Sequence, residues 1–61
     1  MIIRQIPKNP NDYVIVNSET STILHKSGFI PKYMSVSGDC IFFKKDENIL
    51  KFMQENNLDA L

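Results

Sequence analysis

A glycine and a phenylalanine near the middle of the chain, Gly28 and Phe29, end one helix and divide the sequence into two halves of similar design. With Gly28 just past the helix end, Leu24 stands three positions inside that end, and Phe29 falls where the closing apolar contact to Leu24 is expected. A helix that stops on cue turns the chain back onto a sheet.

The segments on either side follow one plan. Ile2, Ile3 and Ile6 point to a strand over about residues 1–6. Pro7 to Asp12 is a dense run of turn formers, and Tyr13-Val14-Ile15-Val16 follows as a strongly β-prone run. The first two strands therefore read as a hairpin with a longish loop. Asn17 and Ser18 can both cap a helix, Glu19 suits its first turn, and His25 and Lys26 suit its last. After Gly28, a third strand is expected over Phe29–Val36, with Pro31 marking a strand beginning or an edge. Ser37-Gly38 reads as a two-residue turn into a fourth strand over Asp39–Lys45. Asp46 caps the last helix, which carries Ile49, Leu50, Phe52 and Met53 at helical spacing; Asn57 is its left-handed stop, with Leu58 set to contact Met53. Asp12 to Val16 matches Asp39 to Phe43 in this plan. The expected fold is one α+β domain over residues 1–61, ββαββα, a small, mostly antiparallel four-stranded sheet with two short helices on one face.

Size limits how such a chain holds together. At 61 residues, it buries only about 60% of its unfolded surface. Chains this short commonly add disulfides, a metal or a partner subunit. Cys40 is the sole cysteine and His25 the sole histidine. No intramolecular disulfide can form, and one Cys with one His cannot complete a tetrahedral site. No metal and no cofactor is expected. Homo-oligomerisation, to a dimer or higher, remains the expected source of extra burial. The lone thiol fits a reducing, cytoplasmic setting. The start of the chain does not resemble a signal peptide, and no stretch approaches the ~20 apolar residues of a membrane span.

The turn at Ser37-Gly38 sets which residues share a face. Met34 opposes Ile41 and Tyr33 opposes Phe42. Met34, Val36, Ile41 and Phe43 then fall on the face beneath the helices. Tyr33, Ser35, Cys40 and Phe42 fall on the opposite face, which would meet water. That second face is more apolar than solvation needs, so it is the expected interface for self-association or for a partner. Slippage by one residue would exchange the two faces.

Candidate chemistry is sparse. His25 reads as a histidine favoured by the helix dipole, with ligand contact as its other use. Cys40 lies within a strand among large apolar residues, which suits packing rather than nucleophilic work with His25. Asp39, Asp46, Glu47 and Glu55 are explained as turn, cap and solvated helix positions. Lys32, Lys44 and Lys45, with Arg4 and Lys26, can form a basic rim beside Tyr33 and Phe42. Such a rim can stack a base and hold its phosphate, although lysines at strand ends also solvate a sheet edge. The seven basic residues are matched by seven acidic ones, which counts against a dedicated nucleic-acid binder. Gly28 and Gly38 form no phosphate loop, and no catalytic motif is present.

The run Gly28-Phe29-Ile30-Pro31-Lys32-Tyr33, followed by Cys40-Ile41-Phe42-Phe43 leading into a helix, is similar to small proteins of phages and mobile elements. The resemblance carries no functional residues. Abundant Ile, Lys and Asn, against a single Ala and a single Arg, fit a low-GC bacterium or its phage. The expected function is that of a non-enzymatic accessory or antidefence protein. It would act as a homo-oligomer that blocks a host protein or sequesters a small nucleotide-like ligand. The alternative is a small nucleic-acid-binding regulator. Tyr33, Phe42, Lys32, Lys44, Cys40 and His25 are the residues expected to meet the partner or ligand.

Overall fold

A computed structural model describes residues 2–61. It has three strands and two helices: β1 (Tyr13–Val16), α1 (Ser18–Lys26), β2 (Tyr33–Met34), β3 (Ile41–Lys44) and α2 (Glu47–Glu55), with a 3-10 turn over Pro10–Asp12 ahead of β1. The sheet order is β1-β3-β2, and both outer strands run antiparallel to β3. β1 and β2 are thus parallel to each other with β3 inserted between them, a split βαβ arrangement.

Both helices start and stop by the same device. The Asn17 side chain accepts from the Thr20 N–H at 2.9 Å, and the Asp46 carboxylate accepts from the Ile49 N–H at 2.9 Å. These bonds satisfy donors that a first helical turn leaves free. At the other end of α1, the Phe29 N–H reaches the Leu24 carbonyl at 3.0 Å and the Gly28 N–H reaches His25 at 3.1 Å. In α2, the Leu58 N–H reaches Met53 at 2.8 Å and the Asn57 N–H reaches Gln54 at 3.4 Å. Each is a Schellman pair. The pivots are Gly28 at φ +99 and Asn57 at φ +55. Phe29 and Leu58 then pack against the core beside Leu24 and Met53. The repeated design is therefore strand, capped helix and Schellman stop, with Tyr13 matching Ile41, rather than the match of Asp12 to Asp39.

The core lies between the helices and one face of the sheet. Val14, Val16, Ile41 and Phe43 of the sheet join Leu24 of α1 and Ile49 and Met53 of α2 in one buried cluster, with Met34 packed against it. Met34, Ile41 and Phe43 lie on this face, as their alternation requires.

Three expectations are corrected. Among the described residues the sheet has three strands rather than the four expected, in the order βαββα rather than ββαββα. Residues 1–6 were expected as a strand in a hairpin with β1; Met1 lies outside the described residues, and Ile3 makes only a single parallel bridge to Tyr33. The Ile3 N–H donates to the Lys32 carbonyl at 3.1 Å and the Ile3 carbonyl accepts from Met34 at 2.9 Å, so this segment borders β2 instead. The Pro10 turn feeds directly into Tyr13, while the inner side of β1 is taken by β3. The third strand shrinks from Phe29–Val36 to Tyr33–Met34, because Phe29 serves the helix stop, Pro31 lacks a donor and Ser35 begins the turn.

The turn itself is wider than expected, yet the register holds. The Gly38 N–H closes onto the Ser35 carbonyl at 2.9 Å, and the Ser35 N–H reaches the Cys40 carbonyl at 2.8 Å. The loop thus runs from Val36 to Asp39, one residue longer on each side. Equal lengthening preserves Tyr33 opposite Phe42 and Met34 opposite Ile41. Val36 leaves the core face and stands 77% exposed.

Candidate functional site

Strand alternation places Tyr13, Ile15, Tyr33, Phe42 and Lys44 on the face away from the helices. Tyr13 opposes Lys44, Ile15 opposes Phe42, and Tyr33 opposes Phe42 from the other side. Phe42 is therefore flanked on both sides by large neighbours. It is 3% exposed, which corrects the expectation that it meets water. The Tyr13 ring meets Tyr33 edge-on, with centroids 5.4 Å apart, and meets Phe42 edge-on at 6.5 Å. Edge-to-face pairs of this kind contribute about 0.5–1.5 kcal/mol beyond the area they bury. The chain closes much of its second face by itself.

What stays open is a polar hollow at the Tyr13 end of that face, about 260 Å³ in volume. Tyr13, Tyr33, Lys44 and Asp12 line it from the sheet side, and Gln5, Pro7, Lys8 and Asn9 from the N-terminal segment. Pro7 is itself buried, although it sits in an irregular stretch. The Lys44 Nζ stands 5.4 Å from the centre of the Tyr13 ring, a cation–π placement between two residues that both line the hollow. Two tyrosines and two lysines against one carboxylate give the hollow aromatic surface and a positive bias.

Of the six residues expected to meet a ligand, the structure brings three together on one face: Tyr33 and Lys44 line the hollow, while Phe42, paired with Tyr33, is buried and does not line it. The other three lie elsewhere. The Lys32 side chain is exposed, while its backbone N–H holds the Phe42 carbonyl at 2.9 Å. Cys40 is half-buried at the base of the turn, its N–H bonded to the Ser35 hydroxyl at 3.1 Å. His25 is exposed on α1 and borders a separate hollow with Ile2, Ile30 and Pro31. His25 and Cys40 share no site. Among the described residues, no group of three or more His, Cys, Asp or Glu could hold a metal ion. Among the described residues, no helix is long and apolar enough to cross a membrane.

Sequence reasoning missed Tyr13 and Lys8. Tyr13 was legible: pairing β1 with β3 instead of with residues 1–6 puts Tyr13 across from Lys44. Lys8 carried no such signal, because an irregular segment has no period to follow. Comparison with protein-family models, curated proteins and solved structures gives no match.

Proposed function

We propose that this chain is a small non-enzymatic binding protein whose second sheet face takes a nucleotide-like anion. The observation that supports it is the Tyr13–Tyr33 pair at 5.4 Å with Lys44 over Tyr13 and Lys8 lining the same hollow. A tyrosine face stacks a base without regard to its edge, and two ammonium groups suit a phosphate. The volume of about 260 Å³ lies just below the ~300–1,000 Å³ range of small-molecule pockets. A mononucleotide is the fitting size, with part of it left in solvent.

In this reading the protein sequesters its ligand and does no chemistry on it. An accessory protein of a phage or mobile element, of antidefence type and working in the cytoplasm, is the setting that its composition favours. Homo-oligomerisation belongs to the proposal through the large apolar side chains left exposed, with Ile30 74% and Ile6 57% accessible. Occlusion of a host protein would draw on the same side chains. The nucleic-acid regulator is the weaker alternative, because net charge is zero and counterion release is then small.

The test is calorimetric titration of the full chain with AMP, GMP, CMP and UMP at two salt concentrations, with sedimentation to record the assembly. Binding that drops at least about tenfold in Tyr33→Ala, as expected when base stacking worth ~1–3 kcal/mol is lost, supports the reading. A salt slope near one or two, for one or two phosphate contacts, separates it from nucleic-acid binding, where slopes are several-fold steeper. No heat with any nucleotide at millimolar concentration sinks it.

A further inference from the structure

The outer edge of β1 borders a second hollow, which shares Tyr13 with the first. The Lys45 N–H donates to the Asp12 carbonyl at 3.0 Å, so the hydrogen-bonded pairs of the β1–β3 ladder fall at Val14–Phe43 and Val16–Ile41. Ile15 therefore turns its N–H and carbonyl outward. The carbonyl accepts from the Leu61 N–H at 2.8 Å. No backbone partner is found for the Ile15 N–H among the described residues. An antiparallel neighbour would complete both bonds at Ile15. The Tyr13 N–H is already held by the Pro10 carbonyl, so such a ladder ends at Tyr13.

Below this edge runs a groove of about 480 Å³ between β1 and α2, floored by Val14, Leu50, Met53 and Leu58. Leu50 is 46% exposed there. Lys45 is the one charged side chain among the residues that line it, and it stands at the Asp12 end of β1, its Nζ bonded to the Asn11 carbonyl at 3.0 Å. The groove thus has an apolar floor, polar walls that include Asn11 and Gln54, and a positive charge at one end. Leu61 occupies its mouth by one hydrogen bond while remaining 67% exposed.

We propose that this edge binds a short extended peptide of a partner protein as a fourth, antiparallel strand. An apolar side chain opposite Val14 rests on Leu50 and Met53, and an acidic side chain two residues on meets Lys45. Main-chain bonds supply the pairing, and alternate side chains supply the choice, as in other strand-addition complexes. The peptide takes the place of Leu61 at the Ile15 carbonyl. The ladder's stop at Tyr13 limits the paired stretch to a few residues.

The test uses the ¹³C,¹⁵N-labelled full chain and the synthetic peptide acetyl-Val-Thr-Leu-Thr-Glu-amide, followed by chemical shift and amide exchange. Saturable binding, slowed exchange at the Ile15 N–H and shifts of the Leu50 and Met53 methyls are expected. Lys45→Glu should weaken binding about fivefold, the loss of one rim attraction and its reversal to repulsion. Leu50→Lys, a change at a half-exposed site, should reduce the Met53 methyl shift and weaken binding by a similar factor. The Glu-to-Lys version of the peptide should bind less well to the parent and better to Lys45→Glu. Unchanged Ile15 exchange at millimolar peptide overturns the proposal. Equal affinity for both peptides overturns the orientation on which it rests. Ile15 protected without peptide, with mass doubling in sedimentation, assigns the edge to a second copy instead and overturns it too. None of these outcomes involves nucleotide, so this site and the tyrosine hollow stand or fall separately.

Discussion

Replacing Gly28 with alanine isolates the backbone contribution of the helix stop. Gly28 sits at φ +99, and a Cβ built there meets no atom within 4 Å. The cost is therefore conformational, with no steric contact to add. Holding an L-residue in the left-handed region costs roughly 1–2 kcal/mol. Alanine also restricts the unfolded chain, which returns about 0.4–1 kcal/mol. The net loss expected for Gly28→Ala is about 1 kcal/mol. A chain of this size has about 3–9 kcal/mol of total stability, so the loss is measurable without unfolding the protein. The chain has no tryptophan, which makes far-UV circular dichroism in urea the suitable assay. With a slope of about 1 kcal/mol per molar urea for a small protein, the midpoint should fall by about 1 M. Asn57 is at φ +55 in the matching position of α2, and Asn57→Gly should move the midpoint upward by a few tenths of a molar, since glycine is the preferred residue there. Gly28→Asn should fall between parent and alanine. A Gly28→Ala midpoint equal to the parent's, or an asparagine variant worse than alanine, would refute the argument that left-handed geometry governs this stop.

Phe42→Ala removes a side chain that is 3% exposed and should cost about 3–5 kcal/mol, read as a drop of several molar in the urea midpoint or as loss of the folded state; a loss below about 1 kcal/mol would show that the second face is not closed. Val36→Asp, at a position 77% exposed, should change stability by no more than about 0.5 kcal/mol, and a large loss in thermal melts would return Val36 to the core. Asp46→Ala and Asn17→Ala each remove one capping bond and should each cost about 1 kcal/mol, read as a drop in Tm of about 4–8 °C. Lys44→Met should cost about 0.5–1 kcal/mol through the lost cation–π contact with Tyr13, and this loss should vanish in a Tyr13→Leu background if the two residues are coupled.

What could be read from the sequence was what short-range chemistry decides. Asn17, Asp46, Gly28 and Asn57 act within a turn or two of themselves, and each forms the cap or stop that its residue type favours. The pairing of Tyr33 with Phe42 was equally local, since it depends on a turn of a few residues. The strand at residues 1–6 failed because its isoleucines could not say which edge they would meet. Ile2, Ile3 and Ile6 are 40%, 44% and 57% exposed; propensity alone did not bury them. The tyrosine hollow is half legible for the same reason. Tyr33 and Lys44 follow from the local hairpin, whereas Tyr13 and Lys8 arrive through long-range pairing and an irregular segment.

The position of Phe42 did have a signal in the sequence, of a kind that alternation alone hides. A strand with one wet face alternates apolar and polar residues, whereas Ile41-Phe42-Phe43 is a continuous apolar run, the pattern of a strand buried on both faces. β3 is the central strand, and all three residues are buried. A small sheet with helices on one side must then find cover for the other side within its own chain. Tyr13 and Tyr33 supply it from the neighbouring strands, with the buried Pro7 of the N-terminal segment lining the same hollow. Each outer strand in turn meets a terminal segment, β2 through Ile3 and β1 through Leu61. The two ends are held differently. Ile3 makes two backbone bonds to its neighbour and Leu61 makes one. The weaker seal lies over the edge that still has a donor to offer at Ile15. Tyr13, Tyr33 and Phe42 close the second face, so the large apolar side chains that remain exposed, such as Ile6, Ile30 and Val36, lie outside the strands. Among the described residues, the β1 edge at Ile15 is where a main-chain donor faces outward without a backbone partner.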